Sequence, residues 1–91
     1  MIYRKTGDWL AARAGDEVMM MSAASGLYIG LNRVGARIWD LLDEQGDAAA
    51  ICARLVEEFA VSEADCRAEV ETFLGDLLKH KAVEQVAADQ A

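Results

Sequence analysis

The side chains that could do chemistry are few here, and their spacing supports none. His80 is the only histidine. It stands between Lys79 and Lys81 near the end of an expected helix, where a cation complements the carbonyl end of the dipole. A single histidine cannot satisfy the spacing of the common metal motifs. Ser22, Ser25 and Ser62 lack the G-x-S-x-G context that exposes a nucleophile on a strand-to-helix turn. Cys52 and Cys66 match no zinc or redox spacing and both fall on apolar helix faces, so they read as buried reduced thiols behaving as small hydrophobes. Glu57, Glu58, Glu69 and Glu71 sit at offsets that read as solvated helix faces. Gly26 and Gly30 are not followed by the glycines of a dinucleotide loop, and no Gly-Lys-Ser/Thr of a phosphate loop occurs. The reading is a protein without catalytic residues, cofactor or metal, one that works by binding.

Composition narrows what it binds. At 91 residues the chain makes one domain with one modest core. Its 54% hydrophobic content is slightly generous for that size, leaving apolar surface for a partner. The formal charge is -7 and no Lys/Arg run exists. A nucleic-acid binder needs a clustered basic face to displace counterions from phosphates, so that class is disfavoured. No apolar run approaches the ~20 residues of a membrane span. Met1-Ile2-Tyr3-Arg4-Lys5 is not followed by the apolar stretch of a signal peptide, and the expected location is the cytoplasm.

The elements are organised around one junction. Leu27, Ile29 and Leu31 alternate with Tyr28 and Gly30, a half-buried strand. At Asn32 the period changes: Val34, Ile38, Leu41 and Leu42 form a helical stripe, with Asn32 as N-cap. Upstream, Trp9 to Arg13 and Val18 to Ser22 read as strands joined by the turn at Ala14-Gly15-Asp16-Glu17. Residues 1–8 show no period and read as an arm. The strands make an antiparallel meander with the third at an edge.

Downstream the chain is helical. A first helix from Arg33 to about Glu44 stops at Gly46, read as its C′ residue. Gly35 inside it costs roughly 1 kcal/mol against Ala, which a close approach by another backbone would explain. Asp47 caps a second helix, Ala48 to Phe59, with the stripe Ile51, Cys52, Leu55 and Phe59. Ser62 caps a third that keeps period to about His80. That helix carries two apolar rows: Cys66, Val70, Phe73 and Leu77, and beside them Leu74 and Leu78. One row faces the other helices, and the second is free to line a groove near the sheet edge. Val83 and Val86 either form a last short strand or simply dock, and the tail from Ala87 is expected to fray. The fold class is α+β, a winged helix-turn-helix-like outline with a three-stranded antiparallel sheet followed by three helices, ordered over about 9–86.

Gly26-Leu27-Tyr28-Ile29-Gly30-Leu31-Asn32, then Gly35, then Ile38-Trp39-Asp40-Leu41-Leu42-Asp43, resembles the PqqD-like family. It is closer to the form of lasso-peptide biosynthesis than to that of pyrroloquinoline quinone biosynthesis. Ala50-Ile51 to Leu55, Ser62-Glu63, Cys66, Val70, Phe73-Leu74 and Leu77 agree with it. Asp47 and Lys81-Ala82-Val83 depart from the family pattern. The resemblance implies a precursor-peptide recognition element. Such domains are not enzymes. They bind the leader of a ribosomally made peptide as an added strand and present it to a modifying enzyme or leader protease. Carried over by position, Leu27, Tyr28, Ile29 and Gly30 would form one wall of the groove. Val70, Phe73, Leu74 and Leu77 would form the other, with Arg67 at the rim.

Other classes share parts of this outline. A DNA-binding winged helix conflicts with the acidic charge. An acidic carrier protein needs a serine opening a helix in an Asp-Ser-Leu context, and Ser62 lies between Val61 and Glu63. A protein–protein adaptor of winged-helix outline is the remaining alternative.

Overall fold

A computed structural model describes residues 2–87. Two sheets and three helices follow in chain order: β1 (Ile2–Lys5), β2 (Trp9–Ala14), β3 (Glu17–Ser22), β4 (Tyr28–Leu31), α1 (Arg33–Leu41), α2 (Ala48–Glu58), α3 (Glu63–Lys79) and β5 (Val83–Val86). The three-stranded sheet has the order β2-β3-β4, so β4 is an edge strand as its sequence suggests. Trp9 faces Ser22, and Met21 faces Tyr28, in an antiparallel register throughout. Alternation sorts the sheet into two faces. Val18, Met20 and Leu31 are buried beneath it, while Leu10, Met19 and Tyr28 are exposed above it.

The core lies between that inner face and the helices. Met20, Ile38, Leu41, Ile51, Leu55, Val70, Leu74 and Leu77 are its largest fully buried side chains. The expected caps form: Asn32 Oδ1 accepts from the Gly35 amide at 2.9 Å, Asp47 Oδ1 from Ala49 at 3.1 Å, and Ser62 Oγ from Asp65 at 3.2 Å. Each satisfies an amide that the first helical turn leaves without a partner. Arg37 on α1 donates to both Glu58 carboxylate oxygens on α2, at 2.7 and 2.9 Å. That fork raises the Arg37 pKa and lowers that of Glu58, chiefly through the hydrogen bonds themselves.

Three expectations need correction. Residues 1–8 are not a free arm: β1 pairs antiparallel with β5, Ile2 opposite Val86 and Lys5 opposite Val83. Four residues are too short to show a period, and their partner lies at the far end of the chain. Lys5 Nζ also sits 4.2 Å from the centre of the Trp39 ring and 2.9 Å from Asp43. Secondly, α1 ends at Leu41, and Gly46 is not its left-handed C′ residue. Leu42, Asp43 and Glu44 continue as a turn, and the amides of Asp43, Glu44 and Gln45 donate to the Asp40 and Leu41 carbonyls. Gly46 is glycine because a Cβ there would collide with the Tyr3 carbonyl; the Tyr3 amide donates to the Gly46 carbonyl at 2.9 Å. Thirdly, Gly35 makes room for a side chain, not a backbone: its Cβ would stand 3.2 Å from Cε1 of Phe73. Of the two readings for Val83 to Val86, the strand is the one that forms.

Candidate functional site

β4 has β3 on one side and no strand on the other among the described residues. Which of its amides face that open side follows from two hydrogen-bonded anchors. The Ser22 amide donates to the Leu27 carbonyl at 2.9 Å, making Ser22 and Leu27 a hydrogen-bonded pair. Bonded and non-bonded pairs alternate along an antiparallel ladder. The Met20–Ile29 and Val18–Leu31 pairs are therefore bonded, and the Met21–Tyr28 and Met19–Gly30 pairs are not. The two-residue turn between Ala14 and Glu17 gives the same phase from the other side of β3. The N–H and C=O groups of Tyr28 and Gly30 thus point out of the sheet, free to bond an incoming strand.

α3 runs past this edge in the opposite sense. Near the C-terminal end of β4 a cleft of about 240 Å³ lies between Gly30 and Leu31 on one side and Glu69 and Phe73 on the other, floored by Val34 and Ile38. Towards the N-terminal end a second recess of about 380 Å³ runs from Ile29 to Asp76, Leu77 and His80. Phe73, half-buried, belongs to both and stands against Gly35. The arrangement holds no nucleophile beside a base, and no group of three or more metal-ligating side chains occurs among the described residues. What it offers is a backbone edge beside an apolar trough.

The residues expected at the site are distributed unevenly over it. Ile29, Gly30, Phe73 and Leu77 come together in the groove. Tyr28, 67% exposed, and Leu27, 47% exposed, stand at its N-terminal end, Tyr28 with its side chain on the outer sheet face. Val70 and Leu74 are fully buried in the core and support the groove from beneath. The surplus apolar row on α3 therefore packs inward, because β5 and α2 take up the face that the sequence left unassigned. Arg67 lies outside both clefts, with its Nε 3.0 Å from Glu71. Glu69, Asp76 and His80 line the groove unanticipated. Their signal was spacing: with Phe73 they recur every three or four residues, one continuous stripe on the helix.

The PqqD family, described as coenzyme PQQ synthesis protein D, matches residues 17–83, from the start of β3 to the start of β5. The chain belongs to the PqqD family. A solved structure, TbiB1 in complex with the TbiA(beta) leader peptide, is 28% identical and superposes with a TM-score of 0.84, covering 92% of this chain and 98% of that one. A second, lasso peptide synthetase B1 complexed with the leader peptide, shares the fold at 21% identity with a TM-score of 0.80, covering 93% of this chain and all of that one. No curated protein matches. The fold of this PqqD member is thus the α+β arrangement expected, enlarged by the β1–β5 ribbon. Among the described residues no helix is long and apolar enough to cross a membrane.

Proposed function

We propose that this PqqD-family protein is a leader-peptide-binding element of the lasso-peptide type. It takes the leader of a ribosomally made precursor as a strand along the open edge of β4, over Phe73, and presents it to a modifying enzyme or leader protease. The observation that carries the reading is the pair of outward backbone positions at Tyr28 and Gly30, set beside an apolar trough. The likeness to TbiB1, solved with a leader peptide, supports it. Main-chain bonds to an edge supply affinity independent of sequence, and side-chain clefts supply selectivity. About four strand bonds and two apolar anchors, set against the cost of ordering a peptide, give a Kd on the order of micromolar. That strength suits capture and release.

The protein is not an enzyme on this reading. Incubated alone with precursor peptide it should leave the peptide's mass unchanged, while fluorescence polarisation of the labelled leader shows saturable binding. A leader that fails to bind, or one that is cleaved by repurified protein, would overturn the proposal.

A further inference from the structure

The cleft near the C-terminal end of β4 has a mixed lining. Leu31, Ile38 and Phe73 make its walls apolar, and Glu69 is the one acid among the described residues that borders it. Glu69 is exposed and enters no ion pair among the described residues. The arginine two residues before it, Arg67, is paired with Glu71 instead. A strand laid along β4 would take water from this carboxylate. A carboxylate that loses water without gaining a partner is costly, so an occupant with only aliphatic or aromatic side chains would bind against that penalty. A side chain with an aliphatic stem and a cationic head meets both halves of the cleft. The stem lies along apolar surface while the head stays at the rim beside Glu69.

We propose that the leader recognised by this groove carries a lysine or arginine that enters the cleft beside Phe73 and pairs with Glu69. This rests on the leader-binding reading and names the chemistry of the ligand within it. Geometry fixes the position. Glu69 and Phe73 are one helical turn apart, about 6 Å along α3. Side chains on one face of a strand recur at about 6.8 Å, every second residue. The basic residue therefore stands two positions from the apolar residue that rests on Phe73. At the other end of the groove Asp76 and Lys79 both border the second recess, so the lining there carries an acid and a base together and selects neither sign of charge. The chain's charge of -7 draws a basic segment in the same direction.

The test is selection of random linear peptides, displayed as a library, on immobilised full-length protein. Wild type should enrich peptides with Lys or Arg two positions from an aromatic or branched aliphatic residue. Glu69→Lys should replace that base by Asp or Glu, and Glu69→Gln should lower the affinity of a selected basic peptide by about five-fold. Glu57→Lys, the same charge change on the exposed face of α2, should leave the wild-type motif intact. Circular dichroism confirms that each variant is folded. Apolar-anchored peptides without a basic preference, or one motif shared by wild type and Glu69→Lys, would overturn this inference and leave leader binding standing. Recovery of no peptide at all would overturn both.

Discussion

The Ser22 amide donates to the Leu27 carbonyl at 2.9 Å, and that bond sets which side of β4 is open. From it the Ile29 amide is committed to β3, and the Tyr28 and Gly30 amides are free. Proline removes an amide donor wherever it is placed. Tyr28→Pro and Gly30→Pro should keep the fold and weaken leader binding, each by about 1–3 kcal/mol once a leader carbonyl is left unpaired. Ile29→Pro should break the meander and lower the melting temperature. Melting curves and leader affinity for the three variants check this. Normal binding by folded Tyr28→Pro and Gly30→Pro would place the leader elsewhere.

Phe73 and Leu74 are neighbours in sequence with opposite expected phenotypes. Leu74 is fully buried, so Leu74→Asp places an unpaired charge in the core and should abolish folding. That variant cannot report on the groove. Phe73 is half-buried at the cleft, and Phe73→Ala should weaken leader binding about ten-fold while the protein stays folded, at a stability cost of about 1–3 kcal/mol. Calorimetric melting alongside polarisation separates the two effects. Equal binding by Phe73→Ala would remove the apolar wall from the mechanism.

The sequence carried the meander, the caps and the strand-to-helix junction because each is encoded locally: a period of two, a period of 3.6, an Asn, Asp or Ser at the boundary. The β1–β5 ribbon was illegible because four residues have no measurable period and their partner is distant. The groove was half legible. Phe73 stood out by its place on the apolar stripe, but the same stripe made Val70 and Leu74 look equally available. Only packing against α2 and β5 shows that they are not. Glu69 read as solvated surface because a sequence does not say which polar residues border a cavity. The direction of the β4 amides also depended on a turn bond, which hydrophobic alternation does not encode.

Two glycines should respond to alanine with opposite signs. At Gly46 a methyl would strike the Tyr3 carbonyl, while at Gly75 on α3 it would meet open space. Gly46→Ala should cost about 2–3 kcal/mol by forcing β1 off the helical turn, and it should expose the Tyr3 amide to hydrogen exchange. Gly75→Ala should stabilise by about 0.5–1 kcal/mol through helix propensity alone. Thermal melts of both variants decide it. A neutral Gly46→Ala would mean that β1 is held by something other than its contact at Tyr3.

Cys66 gives the domain an alkaline limit. Its thiol is buried between α2 and α3, with Sγ 3.9 Å from the Cys52 carbonyl. Burial, reinforced by the hydrogen bond with Cys52, pushes its pKa up to about 11. In the unfolded chain the same thiol ionises near pH 8.5, as free cysteine does. The folded state therefore keeps a proton that the unfolded state has already released, and stability must fall as pH rises between those values. Below about pH 8.5 the contribution is fully present, and by about pH 11 it is gone. Denaturant melts from pH 7 to 11 should show this decline in the wild type. Cys66→Ala, less stable at neutral pH because of the cavity it leaves, should show a shallower one. The native thiol should also react slowly with a thiol reagent at pH 8 and quickly once the protein is unfolded, since only the thiolate is the nucleophile. Parallel pH profiles for the two proteins would show that Cys66 does not set the limit.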